Sequence, residues 1–125
     1  MKVLLIDDQE DVRRIATLSL ERIGGLRVVE AADGETGIAR ARQEHPDAIL
    51  LDAVMPGLDG RATLGALLAD PETRGIPVVV LSASDAEAEE LVRLGAVGRL
   101  GKPIDPLAFP ASLRELLSHA REDGR

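Results

Sequence analysis

Short unbroken apolar runs alternate along this chain with longer stretches in which apolar residues recur every three or four positions. The runs are Val3-Leu4-Leu5-Ile6, Ala48-Ile49-Leu50-Leu51, Val78-Val79-Val80-Leu81 and Val97 to Leu100. Their length and branched side chains predict strands, and the lack of polar alternation within them predicts strands covered on both faces of a parallel sheet. The intervening periodicity predicts helices over 10–23, 34–44, 58–69, 85–94 and 105–120. The alternation describes five βα units of an α/β domain.

Local signals punctuate the helices. In the first, Val12, Ile15, Ala16, Leu18, Leu20 and Ile23 are expected on the core side, with Arg13, Arg14, Glu21 and Arg22 opposite, and Gly24-Gly25 as the stop. Asp33 before Gly34 and Asp105 before Pro106 supply a cap and a proline suited to a helix start. Leu113, Leu116 and Leu117 are expected to seat the last helix on the sheet.

Each run ends on a group that can do chemistry. The first stops on Asp7-Asp8, the second on Asp52, the third on Ser82, and the last reaches Lys102-Pro103 through Gly101. In a parallel sheet these ends share one edge, where open α/β folds place ligand sites. An unperturbed aspartate titrates near about 3.9, so such a carboxylate is ionised at neutral pH and is a weak nucleophile. Its attack on a phosphoryl group brings anion to anion, and needs a cation to screen the approach. Asp7, Asp8 and Asp52 form a hard, oxygen-only donor set suited to Mg²⁺, to which the main-chain carbonyl of Val54 adds an oxygen. Lys102 would pair with phosphoryl oxygens, and the Ser82 hydroxyl would hydrogen-bond the transferred group.

Composition narrows the partners. A net charge of −7, with no cluster of Lys or Arg, repels phosphate backbones, so direct nucleic-acid binding is not expected. Phe109 is the only aromatic, which removes base-stacking platforms. Cysteine is absent, no run is long enough to span a bilayer, and the chain opens on a strand rather than a secretory leader; membrane association is not expected and a cytoplasmic location is.

Asp7-Asp8, Asp52 with Val-Met-Pro-Gly-Leu-Asp-Gly at 54–60, Leu-Ser-Ala at 81–83 and Lys102-Pro103, in this order on a βα background, resemble the receiver domain of two-component response regulators. The resemblance covers essentially the whole chain. It implies a flavodoxin-like, doubly wound (βα)5 fold with strand order 2-1-3-4-5. It also implies Asp52 as phosphoacceptor, Asp7 and Asp8 as Mg²⁺ ligands, Ser82 with Ala83 as the phosphate-binding switch segment, and Lys102 as the phosphate-pairing cation. The donor would be a histidine kinase or histidine phosphotransfer protein. The response would be read by an effector domain or downstream protein on the face of helix four, strand five and helix five, and a homodimer through that face is also allowed. Such a domain catalyses only its own phosphorylation and dephosphorylation. The receiver is placed at 1–120, with 121–125 as a tail or the start of a linker.

The chain departs from the receiver pattern at three places. An aromatic residue usually stands three positions before the lysine, where this chain has Arg99. An unpaired guanidinium is costly to bury, so Arg99 is expected to stay outward and meet a partner or an acidic group of helix four. The segment from Ser82 to Gly95-Ala96 is about two residues short of the pattern. Val54 and Ser84 occupy the positions that influence phosphoryl lifetime, and a valine there positions no water, so a long-lived phosphoaspartate is expected. Two alternatives use similar residues: an interaction module working without phosphorylation, and an aspartate-dependent phosphatase of the haloacid dehalogenase type. The latter needs Asp-x-Asp on its first strand, where this chain has adjacent aspartates.

Overall fold

The computed structural model describes residues 1–122. Five strands alternate with five helices: β1 Lys2–Ile6, α1 Glu10–Leu18, β2 Arg27–Ala31, α2 Gly34–Glu44, β3 Ala48–Asp52, α3 Gly60–Ala69, β4 Val78–Ser82, α4 Asp85–Leu94, β5 Gly98–Gly101 and α5 Phe109–Glu122. All strand pairings are parallel, and the order is β2-β1-β3-β4-β5. This is the doubly wound arrangement that the sequence predicts.

Because side chains alternate faces along a strand, one sheet supplies two cores. On one side Leu4, Ile6, Ile49, Leu51 and Val80 pack with Ala41 of α2, Leu64 and Leu67 of α3, and Leu91 of α4. On the other, Val3, Leu5, Leu50, Val79 and Leu81 pack with Ala16 of α1 and Phe109, Leu113 and Leu117 of α5. Leu50 and Leu64 are wholly enclosed, so truncating either to alanine removes about 2–5 kcal/mol of stability. β3 and β4 are buried along their full length. The edge strands are not: β5 alternates between half-buried and exposed positions, which corrects the expectation of a strand covered on both faces.

Three helices also differ in their bounds. The first helix is α-helical only to Leu18, and residues Ser19–Ile23 form a wide π-helical turn. Its buried positions are Ala16, Ser19 and Leu20, with the Ser19 hydroxyl donating to the Pro106 carbonyl, while Ile15, Leu18 and Ile23 are exposed. Counting apolar residues overstated that stripe. α3 starts at Gly60 rather than 58, capped by Asp59, whose carboxylate accepts the Ala62 N–H at 2.9 Å. α5 starts at Phe109 rather than 105. Asp105 instead accepts the Leu107 N–H on its side chain and the Ala108 and Phe109 N–H groups on its carbonyl, closing a turn before the helix. α5 continues through Glu122, and the rest of the expected tail, 123–125, lies outside the described residues. α2 and α4 have the predicted bounds, and Asp33 caps α2 by accepting from Thr36 N at 2.7 Å.

Candidate functional site

Parallel register brings the chemistry-bearing ends together. Asp52 closes β3 beside Leu81, and Ser82 closes β4 beside Gly101, the residue before Lys102. Asp7 follows β1 directly. A cavity of about 380 Å³ opens at this edge, lined by Asp8, Gln9, Asp52, Val54, Ser82, Ala83, Glu87 and Lys102, among others. A larger cavity of about 460 Å³, lined by Arg74, Ile76, Gly95, Val97 and Leu117 among others, holds none of these groups.

Lys102 organises the centre. Its ammonium lies 2.8 Å from Asp7 Oδ2 and 3.3 Å from Asp52 Oδ1. Asp7 is fully enclosed; its Oδ1 accepts the Gln9 N–H at 2.9 Å, whereas Oδ2 faces the ammonium without hydrogen-bond geometry and has no other partner. Asp52 is also buried, with Oδ1 accepting the Val54 N–H at 3.2 Å. Burial, and then the charge of Asp7, push the Asp52 carboxyl up to about 7, against the opposing pull of the Val54 N–H and Lys102. The Asp52 carboxyl is thus displaced upward from the ordinary aspartate expected from sequence. Burial draws the Lys102 ammonium downward, but the Asp7 and Asp52 carboxylates outweigh it and leave the group raised.

Oxygens of Asp7, Asp8 and Asp52 lie within 4.8 Å of one another, a spacing that could hold a metal ion. Three carboxylates cluster where one ammonium contacts two of them, and Asp7 Oδ2 is a buried acceptor short of donors. This donor set fits a hard divalent cation.

The remaining predicted residues, Arg99 excepted, also reach this edge. Ser82 is buried, but its hydroxyl donates to the Ser84 carbonyl at 3.0 Å and accepts the Ser84 N–H at 2.9 Å, so it is held by its own loop. Ala83 lines the cavity, and the Val54 side chain points out, 57% exposed. Arg99 lies outside the cavity and turns outward on β5, where it pairs with Asp85 at the start of α4.

Sequence reasoning passed over three contributors. Gln9 accepts from Lys102 Nζ at 3.2 Å, and Glu87 lines the cavity from the first turn of α4. Gly60 packs so tightly beneath Asp52 that an added Cβ would lie 2.7 Å from the Asp52 carbonyl oxygen and 2.6 Å from that of Ala53. Gln9 carried a signal in its place directly after Asp8, and Gly60 in closing the Val-Met-Pro-Gly-Leu-Asp-Gly segment, whereas Glu87 carried none.

Residues 3–114 match the family described as "Response regulator receiver domain". The chain is 40% identical to protein PilH of Pseudomonas aeruginosa, over 94% of this chain and 98% of that one. It is 41% identical to the response regulator PleD of Caulobacter vibrioides, over 92% of this chain but 26% of that one. The chemotaxis protein CheY4 of Vibrio cholerae superposes with a TM-score of 0.84 at 29% identity, covering 92% of this chain and 97% of CheY4. The chain belongs to the receiver domain family of two-component response regulators, whose members are phosphoacceptor signalling domains. It spans nearly all of PilH, about a quarter of PleD and 48% of the regulator PhoP of Bacillus subtilis. Among the described residues no helix is long and apolar enough to cross a membrane.

Proposed function

We propose that this receiver, residues 1–120, accepts a phosphoryl group on Asp52 from a histidine kinase or histidine phosphotransfer protein. The modified state then acts on an effector domain or downstream protein through α4, β5 and α5. The observation that carries this reading is the Lys102 ammonium set between Asp7 and Asp52 at the mouth of a cavity open to a donor.

Asp52 Oδ1 is engaged by Val54 N–H and Lys102, so Oδ2 is the reacting oxygen. It attacks phosphorus as the bond to the donor imidazole nitrogen breaks, and that nitrogen leaves with the bonding pair. Lys102 pairs with the phosphoryl oxygens as their charge develops. Ser82 exchanges its bond to the Ser84 carbonyl for one to the transferred group. Asp7, Asp8, Asp52 and the Val54 carbonyl would hold Mg²⁺, which when bound supplies the positive charge that lets two anions approach.

Incubation with acetyl phosphate and Mg²⁺, followed by intact-mass measurement, tests the reading. One phosphoryl adduct is expected, absent in Asp52→Asn. Absence of any adduct with both acetyl phosphate and a phosphorylated histidine donor overturns it, and continuous turnover of phosphate esters would indicate a phosphatase instead.

A further inference from the structure

Three oxygens surround the Lys102 ammonium, two as ion-pair partners and one as its hydrogen-bond acceptor. Two are the carboxylates of Asp7 and Asp52, at 2.8 and 3.3 Å; the third is the side-chain oxygen of Gln9, at 3.2 Å. Gln9 holds the N-cap position of α1, yet its side chain makes no capping hydrogen bond. Its backbone is anchored independently, with N–H donated to Asp7 Oδ1 at 2.9 Å and C=O accepting from Arg13 N at 3.1 Å. The side chain is thus spared from supporting the helix and is turned to the lysine, where it lines the cavity beside Asp8 and Asp52.

The three oxygens are unequal. An ion pair with enclosed Asp7 is held by full charge in a poorly solvated place, whereas the carboxamide is neutral and exposed, so its bond is the weakest of the three. Asp7 and Asp52 are buried, while Gln9 stands at the surface. We propose that Gln9 is a positioning residue for Lys102: its carboxamide is the exchangeable acceptor that holds the ammonium at the cavity mouth until an oxygen of the incoming phosphoryl group takes its place. Without it the ammonium would settle between the two carboxylates, further from the donor and tighter on the attacking group. This rests on the phosphoacceptor reading given above.

Two measurements test it separately. Lys2 and Lys102 are the only lysines, so a protein labelled with ¹⁵N at lysine Nζ gives two ammonium signals, and Lys2, paired with Glu44, is the internal control. In Gln9→Met, which keeps the length but removes the acceptor, the Lys102 ammonium hydrogens should exchange with water about tenfold faster while Lys2 is unchanged. Gln9→Glu, which retains an acceptor, should keep them slow. Phosphorylation of Gln9→Met by acetyl phosphate, in which Asp52 gains phosphorus and acetate departs with the P–O bonding pair, should slow about fivefold at an unchanged melting temperature. Unaltered Lys102 exchange in Gln9→Met, an equal change at Lys2, or an unaltered phosphorylation rate overturns the proposal. If wild type takes no phosphoryl group from any donor, the phosphoacceptor reading fails, and the exchange measurement still reports whether Gln9 holds Lys102.

Discussion

Arg99 Nη1 lies 2.8 Å from Asp85 Oδ1, joining the middle of β5 to the first residue of α4. The same guanidinium reaches the Asp85 carbonyl at 3.4 Å. Asp85 follows Ser84, whose backbone holds the Ser82 hydroxyl, so a continuous run of contacts leads from the candidate acceptor site to the exposed edge of the sheet. Where the resemblance to receivers leads one to expect an aromatic ring, this chain carries an ion pair.

That pair is solvated, with side chains 41% and 86% exposed, so its energetic coupling is expected to be small. A double-mutant cycle of Arg99→Ala and Asp85→Ala, followed by urea unfolding, should give a coupling of about 0.2–1 kcal/mol that largely disappears in concentrated salt. A coupling above about 2 kcal/mol, or one indifferent to salt, would show that the contact is shielded from water and contradict this description.

The metal-free site should carry its own pH signature. The Asp52 carboxyl rises from its ordinary 3.8 to about 7, so the folded protein holds that proton more tightly than the unfolded chain. The associated stability is fully present below pH 3.8 and is lost as pH rises through about 7. In chelator, Asp52→Asn should therefore be more stable than wild type by about 1–3 kcal/mol at pH 8, a gain that shrinks as pH falls towards 5. Millimolar Mg²⁺ should raise the wild-type melting temperature by several degrees and the Asp8→Asn variant much less. Equal stability of wild type and Asp52→Asn at both pH values would remove the electrostatic account of the cluster.

Gly60 supports Asp52, the proposed acceptor, from below. A Cβ there would meet main-chain atoms of Asp52 and Ala53 at 2.6–2.8 Å, and main chain cannot step aside as a flexible side chain can. Gly60→Ala should destabilise the domain by about 1–3 kcal/mol and slow phosphorylation of Asp52, although residue 60 carries no reactive group. Gly65→Ala in the same helix, where a Cβ meets nothing within 4 Å, is the control and should be neutral or slightly stabilising in chemical denaturation.

Persistence of the phosphoryl group depends on whether a side chain can orient an attacking water. Val54 is exposed beside the cavity and offers no polar atom. The phosphoaspartate is expected to last for minutes or longer in isolation, and Val54→Asn to shorten its life several-fold. Loss within seconds in wild type, followed by intact mass after donor removal, would point to another group directing water, with Glu87 the first to test.

Much of this protein is written in the order of its residues. Apolar runs of strand length, separated by helical periodicity, determine a parallel α/β sheet, because strands covered on both faces and helices covered on one need different spacings of apolar residues. The residues that end those runs, Asp7, Asp8, Asp52, Ser82 and Lys102, determine the chemistry available at one edge, since parallel strands bring their C-terminal ends together. Tertiary structure decided the rest. Whether Ile15 and Leu18 are core or surface depends on how α1 is rotated against the sheet, which composition does not encode. β5 is half exposed because, among the described residues, no strand pairs with its outer side, a matter of sheet order rather than of its own residues. The upward shift of Asp52 comes from burial beside Asp7, and the hold of Gln9 on Lys102 joins residues 93 positions apart. Energies of that kind arise from proximity and exclusion of water, and both exist only once the chain has folded.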